Sequence, residues 1–154
     1  MDKKSMSNSD LLKVLLIGNN PIDMSSTLEK VQQIRGKRIV TEIAFDARSI
    51  VDRLINFNPN FILIDDNIGK AELTHTIATL NHNRKTKKIP ITVIKNSNYE
   101  DTSTSSRILD FILKQNFSAD SLYKAILNSL KFERTQRLLA RVYRKRKGIH
   151  RLAF

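Results

Sequence analysis

Phe61-Ile-Leu-Ile64, followed at once by Asp65-Asp66, is the stretch whose reading decides the fold. Four consecutive apolar residues shortly after Pro59 match a strand buried on both faces, because a strand with one wet face alternates polar and apolar positions. Two carboxylates then stand at its carboxyl end. Toward the N-terminus, Ile50, Val51, Leu54 and Ile55 form one helical stripe that has to end before Pro59, and Ile39 to Phe45 reads as another strand. Earlier still, Lys13-Val-Leu-Leu-Ile17 is an apolar run stopped by Gly18-Asn19-Asn20-Pro21. Pro21 suits a first helical turn, Met24, Leu28, Val31 and Ile34 recur at helical spacing, and Gly36 stands where a helix C-cap is expected.

The same alternation continues toward the C-terminus. Leu73, Ile77 and Leu80 share a helical face, and Pro90-Ile-Thr-Val-Ile94 and Phe111-Ile-Leu113 read as the fourth and fifth strands. Between those strands, Asn96 to Ser106 is rich in Ser, Thr and Asn, which favour turns, so the fourth helix is expected to be short or poorly formed. From Ser118, a candidate N-cap with Asp120 in the first turn, Leu122, Ile126 and Leu130 mark a final helix that nothing breaks before Gly148. Five strands alternating with five helices predict an α/β fold, a doubly wound five-stranded parallel sheet with an extended basic C-terminal helix. Function in such sheets gathers at the carboxyl ends of the strands, where strand order reverses. Those ends carry Asn19 and Asn20, Asp65 and Asp66, and Lys114.

Residues 11–130 resemble a response-regulator receiver domain. Asn60-Phe-Ile-Leu-Ile-Asp65 is similar to the phospho-acceptor strand, and Phe111-Ile-Leu-Lys114 to the strand bearing the essential lysine. The resemblance implies a flavodoxin-like sheet in the order 2-1-3-4-5, Asp65 at the phospho-acceptor position, and Phe111 at the position of the switch aromatic. It also implies magnesium, a hard cation that wants carboxylate oxygens. Here the sequence departs from the pattern. Asn19 and Asn20 stand where an acidic pair is usual, Lys95 where a Thr or Ser is usual, and Gln115 where a proline is usual. Neutral amides add no negative charge, so magnesium is expected to bind weakly, and the pocket resembles that of an atypical or pseudo-receiver. Lys95 has two readings: its ammonium pairs with Asp65 or Asp66 in place of the missing cation, or it faces solvent. Phe111 is likewise either a switch aromatic or a core residue, and Asp66 either a second pocket carboxylate or a helix-initiating surface residue.

Composition excludes several function classes. The 154 residues include no cysteine, so a disulfide framework, a thiolate metal site and a cysteine nucleophile are all absent. His75, His82 and His150 have no metal-ligand spacing, and the four glycines form no phosphate loop, which leaves no enzymatic activity beyond self-phosphorylation to expect. Met1 to Asp10 reads as a disordered polar leader without a signal core, and apolar runs such as Val14 to Ile17 are too short to span a bilayer. A cytoplasmic location is the expectation.

The formal net charge of +12 is unevenly distributed. Residues 131–154 hold nine of the 27 Lys and Arg but one of the 15 acids. Arg134, Arg137, Arg141, Arg144, Lys145, Arg146 and Lys147 line this basic helical tail, with Tyr143 among them. Such a segment suits RNA or DNA phosphates, bound without sequence preference, or an anionic membrane surface or acidic protein partner; a plain solvated tail is the fourth reading. Leu138, Leu139 and Val142 also suit a short coiled coil, although the next step of that seam falls among charges. The reading as a whole is a phosphorylation-impaired receiver acting as a regulatory protein-interaction module. Its rivals are a working phospho-acceptor regulator and a nucleic-acid-associated protein.

Overall fold

The computed structural model describes residues 11–96 and 108–152, and the side chains among these up to residue 146. Five parallel strands form one sheet in the order β2-β1-β3-β4-β5: β1 Leu11–Ile17, β2 Arg38–Ala44, β3 Phe61–Asp65, β4 Ile91–Lys95 and β5 Ile108–Leu113. All five residues of β3 are buried, as its unbroken apolar run requires of a central strand covered on both faces. In register, Ile17 meets Ile64 across β1 and β3, and Asp65 meets Ile94 across β3 and β4, so the carboxyl ends of these strands finish together.

Four helices are described: α1 Pro21–Gln32, α2 Ala47–Leu54, α3 Lys70–His82 and α4 Ala119–Leu152. The alternating side chains of the sheet build two cores. On one face Leu12, Val14, Leu16, Phe61 and Leu63 pack with Met24 and Val31 of α1 and Leu122 and Ile126 of α4. On the other, Leu15, Ile17, Ile62 and Ile64 pack with Ile50 and Leu54 of α2 and Ile77 and Leu80 of α3. Ser118 caps α4 as expected, its Oγ accepting from the Ser121 N–H at 3.1 Å.

Among the boundaries that differ from the sequence reading, three have a clear physical reason. Helix α1 stops at Gln32 and is capped by Gln33, not by Gly36, whose φ of 86° serves the turn into β2 instead. Strand β5 begins at Ile108, three residues before Phe111, because its early part pairs with β4 through an irregular register while remaining half-exposed at the sheet edge. The polar Asp110 is tolerated there, which hid the strand from a search for apolar runs. Helix α4 passes through Gly148 to Leu152, and intrahelical hydrogen bonding outweighs the roughly 1 kcal/mol penalty of an isolated glycine. The leader (residues 1–10) and all but Asn96 of the expected fourth helix lie outside the described residues.

Candidate functional site

Gly18 follows β1 at the foot of the site: a Cβ there would press on the Met24 thioether and touch Asp65 Cβ at 3.4 Å, so the bare backbone leaves room for Met24. Asn20 then caps α1, its Oδ1 accepting from the N–H groups of Ile22 at 3.0 Å and Asp23 at 3.2 Å. That cap turns Asp23, on the first turn of α1, toward the end of β5. Its Oδ1 lies 2.6 Å from Lys114 Nζ. Lys114 opens the 3-10 turn that follows β5, and its ammonium also donates to Asn96 Oδ1 at 2.9 Å.

Asn96, just past β4, holds the centre together. Its Nδ2 donates to Asp65 Oδ1 at 2.6 Å and Asp66 Oδ1 at 2.7 Å, while its backbone N–H donates to the same Asp66 oxygen at 2.9 Å. Asn67 completes the ring: its N–H donates to Asp65 Oδ1 at 3.0 Å and its Nδ2 to Asp23 Oδ2 at 3.2 Å. Asp65 is 2% exposed. Its Oδ2 is buried without a hydrogen-bond partner, and Lys114 Nζ stands 3.9 Å away, beyond hydrogen-bond reach yet close enough for charge compensation. The three carboxylates thus face one ammonium and two primary amides across the ends of β1, β3, β4 and β5.

No family model matches the chain, and none of the curated sequences compared with it does. Solved structures do. It is similar to the chemotaxis response regulator CheY4 of Vibrio cholerae (TM-score 0.62, 16% identity), over 77% of this chain and 98% of that one. A CheY-like receiver domain protein from Methanospirillum hungatei JF-1 matches with TM-score 0.65 and 18% identity, over 82% and 98% of the two chains. The receiver domain of the sensor histidine kinase PA1611 from Pseudomonas aeruginosa, solved with magnesium in its active-site cleft, matches with TM-score 0.60 and 12% identity, over 78% and 98%. The chain has the fold of a response-regulator receiver domain.

Within the receiver fold, Asp65 and Lys114 come together as the sequence led one to expect, Asp66 joins them while opening the 3-10 turn after β3, and three partners of the network, Asp23, Asn67 and Asn96, were missed. For Asp23, its position three residues after the Asn20 cap was the available signal. Asn96 lay in a stretch read only as turn-forming. The Lys95 ammonium sits 4.8 Å from the centroid of the Phe111 ring, in a cation–π contact. Phe111 is 36% exposed and so is not a core residue. Asn19 is exposed.

Most of the oxygens that a magnesium ion would need are engaged within the network. The Asn20 amide oxygen is committed to the helix cap, Asp23 is engaged by Lys114 and Asn67, and Asp66 by Asn96. Among the described residues no group of three or more acidic or histidine side chains is placed to hold a metal ion.

On α4, Arg134, Arg137, Arg141, Arg144, Lys145 and Arg146 are all exposed, and Arg137 pairs with Glu133 at 2.6 Å. The side chain of Lys147 lies outside the described residues. Among the described residues no helix is long and apolar enough to cross a membrane.

Proposed function

We propose that this chain is a receiver-type signalling module that works by contacting a regulatory protein and has an impaired capacity for aspartyl phosphorylation. The observation that carries this reading is the state of Asp65. One of its carboxylate oxygens accepts from Asn96 and Asn67, and the other is buried beside Lys114. A carboxylate attacks phosphorus only with an oxygen free to approach in line, and the transferring group needs local positive charge. Here the nearby ammonium is already neutralised by Asp23, and the amides of Asn19 and Asn20 add no charge with which to recruit a metal. Most of the pocket's carboxylate oxygens are engaged by Asn67, Asn96 and Lys114, so its role as a polar clasp between strand ends replaces a chemical one. No catalytic activity is assigned to it.

The test is incubation of the intact protein with acetyl phosphate and magnesium, followed by mass spectrometry. The parent is expected to remain unmodified, and the Asn19→Asp, Asn20→Asp double variant to gain a phosphoryl group on Asp65, since aspartate caps α1 as well as asparagine does. Rapid modification of the parent would instead establish a working phospho-acceptor.

A further inference from the structure

Away from the pocket, a groove of about 710 Å³ opens between α4 and the amino-terminal ends of β4 and β5. The strands are parallel, so this groove and the Asp65 pocket lie at opposite ends of the strands, roughly 20 Å apart at 3.3 Å per strand residue. Its floor is apolar: Ile89, Pro90, Ile108 and Leu109 on the sheet side and Phe132 on α4, 38% exposed. Its walls are basic, with Lys87 and Lys88 before β4 facing Arg137, Arg141 and Arg144 of the helix. The one acid of the lining, Glu133, is the residue already paired with Arg137.

We infer that this groove binds an acidic amphipathic segment of a partner protein. Resting on the reading of the chain as an interaction module, the inference names the chemistry of its partner. Two features select that occupant. The surplus of cations calls for carboxylates or phosphates, and the apolar floor calls for side chains that leave water on binding, which a segment with an acidic face and an apolar stripe supplies together. A nucleic-acid backbone would satisfy the walls and leave Ile89, Pro90, Ile108 and Leu109 of the floor without a match. The length also fits: Phe132 to Arg144 is about 18 Å of helix at 1.5 Å per residue, or three turns of a docked helix. The cations at Arg137, Arg141 and Arg144 repeat at spacings of four and three, so they lie on one face of α4. Leu138 and Val142 are exposed on the other.

The experiment uses a fluorescent peptide of roughly 14 residues, matching those three turns, with glutamates on one helical face and leucines on the other. Its controls are the same composition scrambled so that no stripe remains, and a single-stranded oligonucleotide of equal charge. Anisotropy titrations with the full chain are expected to show the striped peptide binding at least about ten-fold tighter than the scrambled one. The Arg137→Glu, Arg141→Glu double variant and Phe132→Ala are each expected to weaken it by roughly ten-fold, and the Lys145→Glu, Arg146→Glu double variant, outside the groove lining, by less than about two-fold. Equal binding of the two peptides, equal losses in all variants, or tighter binding of the oligonucleotide with no effect of Phe132→Ala would each overturn the inference. Self-association that the groove substitutions abolish would overturn it in favour of a second copy as occupant. Phosphorylation of Asp65, scored on the same preparation, bears on the module reading alone, so the two failures are distinguishable.

Discussion

Asn96 occupies the position on which the pocket's electrostatics turn. It accepts from Lys114 and donates to Asp65 and Asp66, so its one amide links the cation to two carboxylates. Asn96→Ala is expected to lower stability by about 1–3 kcal/mol, the usual consequence of leaving a buried acceptor, here Asp65, short of a donor, as read by urea unfolding. Lys114→Met tests the cation itself. Because the lysine side chain is 34% exposed whereas that of Asp65 is 3% exposed, the substitution strands a buried carboxylate. A loss of the same order is expected, largely recovered in the Lys114→Met, Asp65→Asn double variant; additive losses in that double-mutant cycle would mean that the two groups do not interact.

Among the elements, β3 and α2 show how local and non-local terms divide. Leu63 is fully buried in the core that α1 and α4 cover, so Leu63→Ala should cost about 2–5 kcal/mol in the same unfolding assay, the range for a buried leucine that leaves a cavity. Helix α2 depends on its ends. Asp46 and Ser49 form a capping box, the Ser49 N–H donating to Asp46 Oδ1 at 2.8 Å while Ser49 Oγ accepts from the Asp46 N–H at 3.0 Å. The Ser49 backbone N–H first, and then the Ser49 side chain, hold the Asp46 carboxyl below the ordinary carboxylate range. A carboxyl lowered in the folded state contributes stability above its unfolded pKa and loses it as pH falls through the folded one. Asp46→Asn keeps a capping oxygen but does not titrate. The difference in thermal midpoint between parent and variant should therefore shrink from neutral to strongly acidic pH; a difference independent of pH would remove the charge from the account.

For the whole molecule, the basic stretch of α4 is an appendage to the packed domain. Apart from the partly covered Glu133, every described residue from Lys131 to Arg146 is exposed. A chain ending at Arg134 should therefore unfold with the cooperativity of the parent and within about 0.5 kcal/mol of it, as measured by urea denaturation, since surface changes away from packed features rarely exceed that. A larger loss would show that the helix is part of the core. The sequence by itself determined the alternation of strands and helices, the buried status of β3 and the presence of Asp65 and Lys114 at strand ends. These follow from apolar runs, helical spacing and turn residues, signals carried by neighbours along the chain. The half-exposed start of β5, the contact of Lys95 with Phe111, and the recruitment of Asp23 and Asn96 to the pocket were decided by the tertiary structure. Each joins residues far apart in sequence whose meeting depends on sheet register and on where a helix cap aims the next turn, and no local pattern encodes that distance.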